Sequence, residues 1–173
     1  MLSETNEQKI LNVFFSYPTD KFHLRELARR TKLHPNTVSN VIKSLTKEKI
    51  LKIDKKEFIV EISVNRTDKF KQLKKLHNLK SLYNSGLLEK IKETLHPEGI
   101  SILGSYSTGE DLEESDLDLV IISNEKENIS LEKYEKILNR KIHLIVVDYN
   151  SLSDEFYTNL INGIVLDGFI RKK

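Results

Sequence analysis

Ile100-Ser-Ile-Leu-Gly-Ser-Tyr-Ser-Thr-Gly-Glu-Asp-Leu-Glu-Glu-Ser-Asp-Leu-Asp-Leu-Val-Ile-Ile122 decides the reading of this chain. It opens on a short apolar run that ends in Gly104-Ser105, and after ten intervening residues Asp116-Leu-Asp118 leads straight into a second apolar run. The two runs are short enough to be strands, and Gly-Ser between a strand and a polar segment predicts a tight turn into a helix. In a strand, residues two apart share a face, so Asp116 and Asp118 are expected to project together while Leu117 and Leu119 enter the core.

Those residue types carry a chemistry. Two carboxylates side by side repel and raise each other's pKa unless a cation lies between them. Mg²⁺ accepts such hard oxygen ligands and shares its other positions with water and phosphate. Gly104 lets the backbone approach a phosphate without a Cβ in the way, and Ser105 offers a hydroxyl and an amide at a helix start.

Gly104, Ser105, Asp116 and Asp118, at this spacing, resemble the polymerase-beta-like minimal nucleotidyltransferase superfamily. The resemblance runs from about Gly99 to Asp148, and Asn159 to Gly168 resembles the tail of archaeal members fused to an N-terminal winged helix-turn-helix. It implies attack of an acceptor hydroxyl on the α-phosphorus of a nucleoside triphosphate with two Mg²⁺ ions. Asp116 and Asp118 would then be catalytic and metal-binding, and Gly104, Ser105 and Ser115 nucleotide-binding. The family's third carboxylate stands on a following strand, here Lys141 to Asp148, where the aligned position is His143. Asp148 is the nearest acid, at the opposite strand parity.

Upstream, Thr5 is placed to cap a helix running to about Tyr17, with Ile10, Leu11 and Phe14 on its apolar face and Pro18 after it. Phe22 to Leu33 predicts a second helix with Leu24, Leu27 and Ala28 inward. A turn at Lys32–His34 leads to a third helix opened by Pro35 and buried through Val38, Val41, Ile42 and Leu45. That pattern turns Asn36, Thr37, Ser39, Asn40 and Lys43 outward as a short polar face able to reach base edges. Two strand-like runs, Ile50 to Asp54 and Phe58 to Ser63, flank a turn with Lys55 and Lys56 at its tip. The order resembles winged helix-turn-helix regulators over residues 5–64, with Lys32 where they commonly carry Gly. It implies double-stranded DNA as a partner, with Arg25, Arg29, Arg30, Lys43, Lys47, Lys55 and Lys56 as phosphate contacts.

Charge divides in the same place. Up to Lys80 there are 18 basic and 9 acidic side chains, and beyond it 10 and 17, giving +9 and −7 within a net charge of +2. A basic half attracts polyanions, whereas an acidic half repels them unless its carboxylates hold metal. Between the motifs, Asn65 to Tyr83 repeats Phe70, Leu73, Leu76, Leu79 and Tyr83 as an amphipathic helix amid solvated lysines. A further helix follows through Leu87, Leu88, Ile91 and Leu95.

The expected class is therefore α+β: a winged helix-turn-helix at 1–64, a helical linker at 65–98 and a small mixed-sheet nucleotidyltransferase domain with flanking helices at 99–173. With 38% hydrophobic and 31% charged residues the chain is expected to fold. The absence of Cys excludes disulfides, thiolate zinc sites and Cys nucleophiles. No run approaches the ~20 apolar residues of a membrane span, so a cytoplasmic protein is expected.

Three functions are compatible with these features. The first is transfer of a nucleoside monophosphate, in the first instance AMP, to a macromolecular acceptor, with DNA binding for regulation or targeting. The second is a DNA-binding regulator or antitoxin-like protein whose transferase domain, lacking the third acid, binds nucleotide or mediates assembly. The third is an interaction scaffold. A homodimer and a small helical toxin are further partners implied by the resemblance.

Overall fold

The computed structural model describes residues 4–56, 59–125 and 127–171. The chain forms two compact units that divide between His77 and Asn78.

The first unit begins with α1 (Asn6–Ser16), where Thr5 Oγ1 accepts from the Gln8 amide and the Gln8 side chain accepts from the Thr5 amide. α2 (Leu24–Thr31) ends at Lys32 in the left-handed region, φ 56°, and α3 (Pro35–Lys47) starts after His34, whose Nδ1 accepts from the Asn36 amide. Ile10, Phe14, Leu27, Val38 and Leu45 are fully buried between the three helices. Phe22 does not begin α2 as expected. It pairs as extended backbone with Ile62, both amides bonded at 2.9 Å, and sets its ring edge-on to Phe14.

β1 (Leu51–Lys56) and β2 (Ile59–Val64) pair antiparallel from Leu51↔Val64 to Lys56↔Ile59. The expected turn at residues 54–57 is thus strand through Lys56, because Asp54-Lys-Lys contains no Gly or Pro to interrupt the ladder. Glu57 and Phe58 of the expected connection, and the Lys56 side chain, lie outside the described residues.

α4 (Asp68–Asn84) buries the expected face only in part, with Phe70 buried and Leu73 and Leu79 packed half-buried against the cores. Leu76 and Tyr83 are exposed, while Phe70, Lys74, Asn78 and Leu82 are buried, a line of i, i+4 steps whose two middle members are polar. Lys74 is therefore not one of the solvated lysines. Nor do residues 65–98 stand apart as a linker: Phe70 belongs to the core of the first unit, and Leu82 with Leu87, Leu88, Ile91 and Leu95 belongs to that of the second.

The second unit adds α5 (Leu87–Leu95), β3 (Gly99–Leu103), α6 (Gly104–Thr108), β4 (Leu117–Ile122), α7 (Glu132–Leu138), β5 (Ile142–Val147), α8 (Asp154–Ile161) and β6 (Ile164–Gly168). The sheet order is β5-β4-β3-β6, with β3 antiparallel to both neighbours and β4 parallel to β5. Leu117, Leu119 and Ile121 of β4 face α5 and Tyr134 of α7, while Val120 and Ile122 face Leu152 and Leu160. This mixed sheet with helices on both faces is the α+β architecture expected of the C-terminal half. No described helix is long and apolar enough to cross a membrane.

Candidate active site

Strand register builds the site. Asp118 sits opposite Leu103 of β3 on one side and His143 of β5 on the other, so three adjacent strands meet at its carboxylate. His143 Nδ1 lies 3.2 Å from Asp118 Oδ1, and both side chains reach solvent, 64% and 37% exposed. The chain leaves β3 at Gly104, φ 68°, a left-handed conformation that an L side chain resists. A Cβ there would stand 2.7 Å from Asp118 Oδ2. The glycine thus permits close approach of the turn to the Asp118 carboxylate.

α6 follows at once. Ser107 Oγ donates to the Gly104 carbonyl at 2.7 Å, and the Glu110 amide bonds the Ser105 carbonyl as the chain turns at Gly109. Ser105 is half-buried beside Gly104. Asp116 falls one residue before β4 and is exposed, so it and Asp118 flank buried Leu117 at the strand's entry. Ser115 turns its Oγ to accept from the Leu112 amide at 2.9 Å, closing the turn ahead of Asp116. Asp148 lies beyond β5, where its carboxylate caps a short 3-10 turn through the Asn150 amide at 3.0 Å, and it is His143, not Asp148, that stands opposite Asp118. Among the described residues no group of three or more His, Asp or Glu converges as a metal cage.

The loop from Gly109 to Asp116 is held from below by residues that sequence reasoning passed over. Asp111 is buried and takes Arg140 Nη2 at 3.0 Å and Asn78 Nδ2 at 2.8 Å. Arg140 Nη1 also donates to the carbonyls of Leu112 and Glu113, and Asn78 Nδ2 to the Tyr106 carbonyl at 3.0 Å. The ion pair is nearly inaccessible, 7% and 0% exposed. Burial, followed by the Asp111 charge, pushes the Tyr106 hydroxyl far above its usual range, so it stays neutral and bonds the Asn78 carbonyl. Arg140 stands two residues before β5, so one guanidinium ties the approach to β5 to the loop that delivers Asp116. A groove of about 690 Å³ is lined by Glu113, Ser115, Glu132, Lys136 and Arg140 among others, but by neither Asp116 nor Asp118.

In the first unit, Asn36, Asn40 and Lys43 of α3 are exposed, Thr37 and Ser39 are half-buried, and Lys55 is exposed on β1. Arg25, Arg29 and Lys47 are exposed too. Arg30 differs: it pairs with Glu26 at 2.9 Å and lies 5.2 Å from the Tyr17 ring centroid and 5.1 Å from that of Phe22, so its charge is engaged within the unit.

Residues 85–167 match the family model described as a nucleotidyltransferase domain. The matched stretch begins just before α5 and ends in β6, spanning all four strands and taking in just under half of the 173 residues. The class of chemistry that goes with such a domain is transfer of a nucleoside monophosphate. No curated protein and no solved structure matches the chain.

Proposed function

We propose that this protein transfers a nucleoside monophosphate, AMP in the first instance, from a nucleoside triphosphate to a hydroxyl of a macromolecular acceptor. The observation that carries the reading is the contact at Gly104: the strand-to-helix turn suited to hold phosphate is pressed against the carboxylate suited to hold a divalent cation. Gly104 and Ser105 bind the triphosphate tail, and Ser115 fixes the turn through which Asp116 enters the site. Asp116 and Asp118 offer hard oxygen donors, which fit a divalent cation such as Mg²⁺. Bound there, the ions neutralise charge on the phosphate oxygens. In the reaction the acceptor oxygen bonds to the α-phosphorus, the bond to the β-phosphate oxygen breaks, pyrophosphate leaves and the hydroxyl proton passes to solvent. The acidic surface of residues 81–173 would repel the substrate without the cations, which is why the aspartates and the turn must work together.

We assign residues 1–64 the role of a winged helix-turn-helix that binds double-stranded DNA. In this assignment Asn36, Thr37, Ser39 and Asn40 read bases, while Lys43, Lys55 and Lys56 hold phosphates. The unit serves regulation or targeting, in a cytoplasmic homodimer that works beside a small helical protein partner. A second reading has one observation in its favour: an imidazole, His143, stands beside Asp118, at the position that the resemblance aligns with the family's third acid. On that reading the domain binds nucleotide without turning it over.

Incubation with labelled ATP, divalent cation and candidate protein or RNA acceptors separates the two. Label should pass to an acceptor, and Asp116→Ala with Asp118→Ala should abolish it. Transfer no greater than that variant's, with nucleotide still bound, leaves the second reading.

A further inference from the structure

We infer that the cation position at Asp118 selects a transition-metal ion of the Mn²⁺ type over Mg²⁺, with His143 as one of its ligands. This deepens the transferase reading and rests on it.

Placement comes first. Asp118 and His143 are register partners on two parallel strands, not residues of a loop, so their spacing is set by the backbone ladder. Ladder and side chains together leave Nδ1 and Oδ1 3.2 Å apart. Two donors bound side by side to one octahedral ion at about 2.1–2.2 Å stand about 3 Å apart. A spacing that suits a hydrogen bond therefore also suits two neighbouring ligands, with a few tenths of an ångström of side-chain movement.

Availability comes second. His143 is exposed, and among the described residues Asp118 is its sole hydrogen-bond or ion-pair partner. Neither burial nor a competing bond withholds the imidazole nitrogen.

Donor chemistry then chooses the ion. Imidazole is a borderline donor that Mg²⁺ takes poorly, and affinity for nitrogen rises through the first transition row. Carboxylate and phosphate oxygens remain in the set, and they favour hard ions. Mn²⁺ is the ion that accepts both, which makes it the expected occupant. The exchange of an acid for histidine is thus read as a change of metal.

The test uses the full chain with Mn²⁺ alone, then with Mg²⁺ as competitor. Spin-echo EPR of bound Mn²⁺ should show nitrogen modulation from an imidazole, lost in His143→Asp. Competition should show Mn²⁺ held over Mg²⁺ by tens-fold, and His143→Asp should reduce that preference at least about tenfold. His143→Ala provides a second nitrogen-free control that adds no carboxylate beside Asp118, and a cooperative urea transition of each variant checks that it is folded. Mn²⁺ bound without nitrogen modulation, or an unchanged preference in His143→Asp, overturns the inference and leaves the transferase reading intact. If neither ion binds at millimolar concentration, both fall.

Discussion

The two units carry charge in different ways. In residues 1–77 it lies mostly outside, with Lys74 of α4 the buried exception: Arg25, Arg29, Lys43, Lys47 and Lys55 stand exposed around a core of aliphatic and aromatic side chains. In residues 78–173 charge also enters the interior, where Asp111 and Arg140 are buried together and Asn78 completes the network. Surface charge acts at long range and is screened by salt, so the fold tolerates its loss. An interior ion pair acts through geometry, because removing one member strands the other in a medium that cannot solvate it. Sequence changes should therefore alter attraction in the first unit and alignment in the second.

The largest effect tests that contrast where it is sharpest. Arg140→Met leaves Asp111 buried without its cation and should cost about 3–5 kcal/mol of stability. Adding Asp111→Leu removes the stranded charge and should recover most of it, as urea unfolding of the single and double variants would show. The recovered protein still lacks the ties from Arg140 to the Leu112 and Glu113 carbonyls. Asp116 should then be poorly placed, with nucleotide transfer depressed although the fold is restored. Equal stability of Arg140→Met and the parent would mean that the pair is not part of the scaffold.

Gly104→Ala comes next. The left-handed backbone alone costs an L residue about 1–2 kcal/mol, and the added methyl would meet Asp118 Oδ2 at 2.7 Å. The Asp118 carboxylate must swing away, so cation binding by calorimetry should weaken along with stability. Weakened stability with unchanged cation binding would separate the turn from the site.

What could be read in advance follows from the range of each interaction. Gly104, Asp118 and His143 were legible because strand parity is local and the motif spacing is short. Asp111 and Arg140 were not, since two charges 29 positions apart each look like solvated surface until the fold brings them together. The buried line of α4 was missed for a related reason: Lys74 and Asn78 occupy its middle, and apolar periodicity cannot find polar residues that are buried. Asp116 was placed on the strand by alternation, but β4 begins one residue later, at a boundary that pattern resolves poorly.

The first unit allows a finer division among its cations. In gel shift across a salt series, Lys43→Ala and Lys55→Ala should each lower the slope of log K against log salt by about 0.9, the signature of one lost phosphate contact. Arg30→Ala should leave the slope unchanged and cost about 1 kcal/mol of stability, because its guanidinium rests on Tyr17 and Phe22. A slope that falls with Arg30 and not with Lys43 would reverse the assignment of surface and scaffold roles.

The smallest effect concerns Lys32, which ends α2 at φ 56°. Its amide bonds the Ala28 carbonyl, so the left-handed residue closes the helix while its side chain points into solvent. Lys32→Gly relieves a conformational cost of about 1–2 kcal/mol. Against that gain stands the greater freedom of glycine in the unfolded chain, about 0.4–1 kcal/mol. The balance should be a stabilisation of about 0.5 kcal/mol by urea unfolding. One exposed positive charge is also lost, so the salt slope becomes the discriminating measurement. If Lys32 is a cap residue alone, the slope stays as it was while the unfolding midpoint rises. If the slope falls as well, the turn before α3 lies against phosphate, and the strained lysine is retained for its charge.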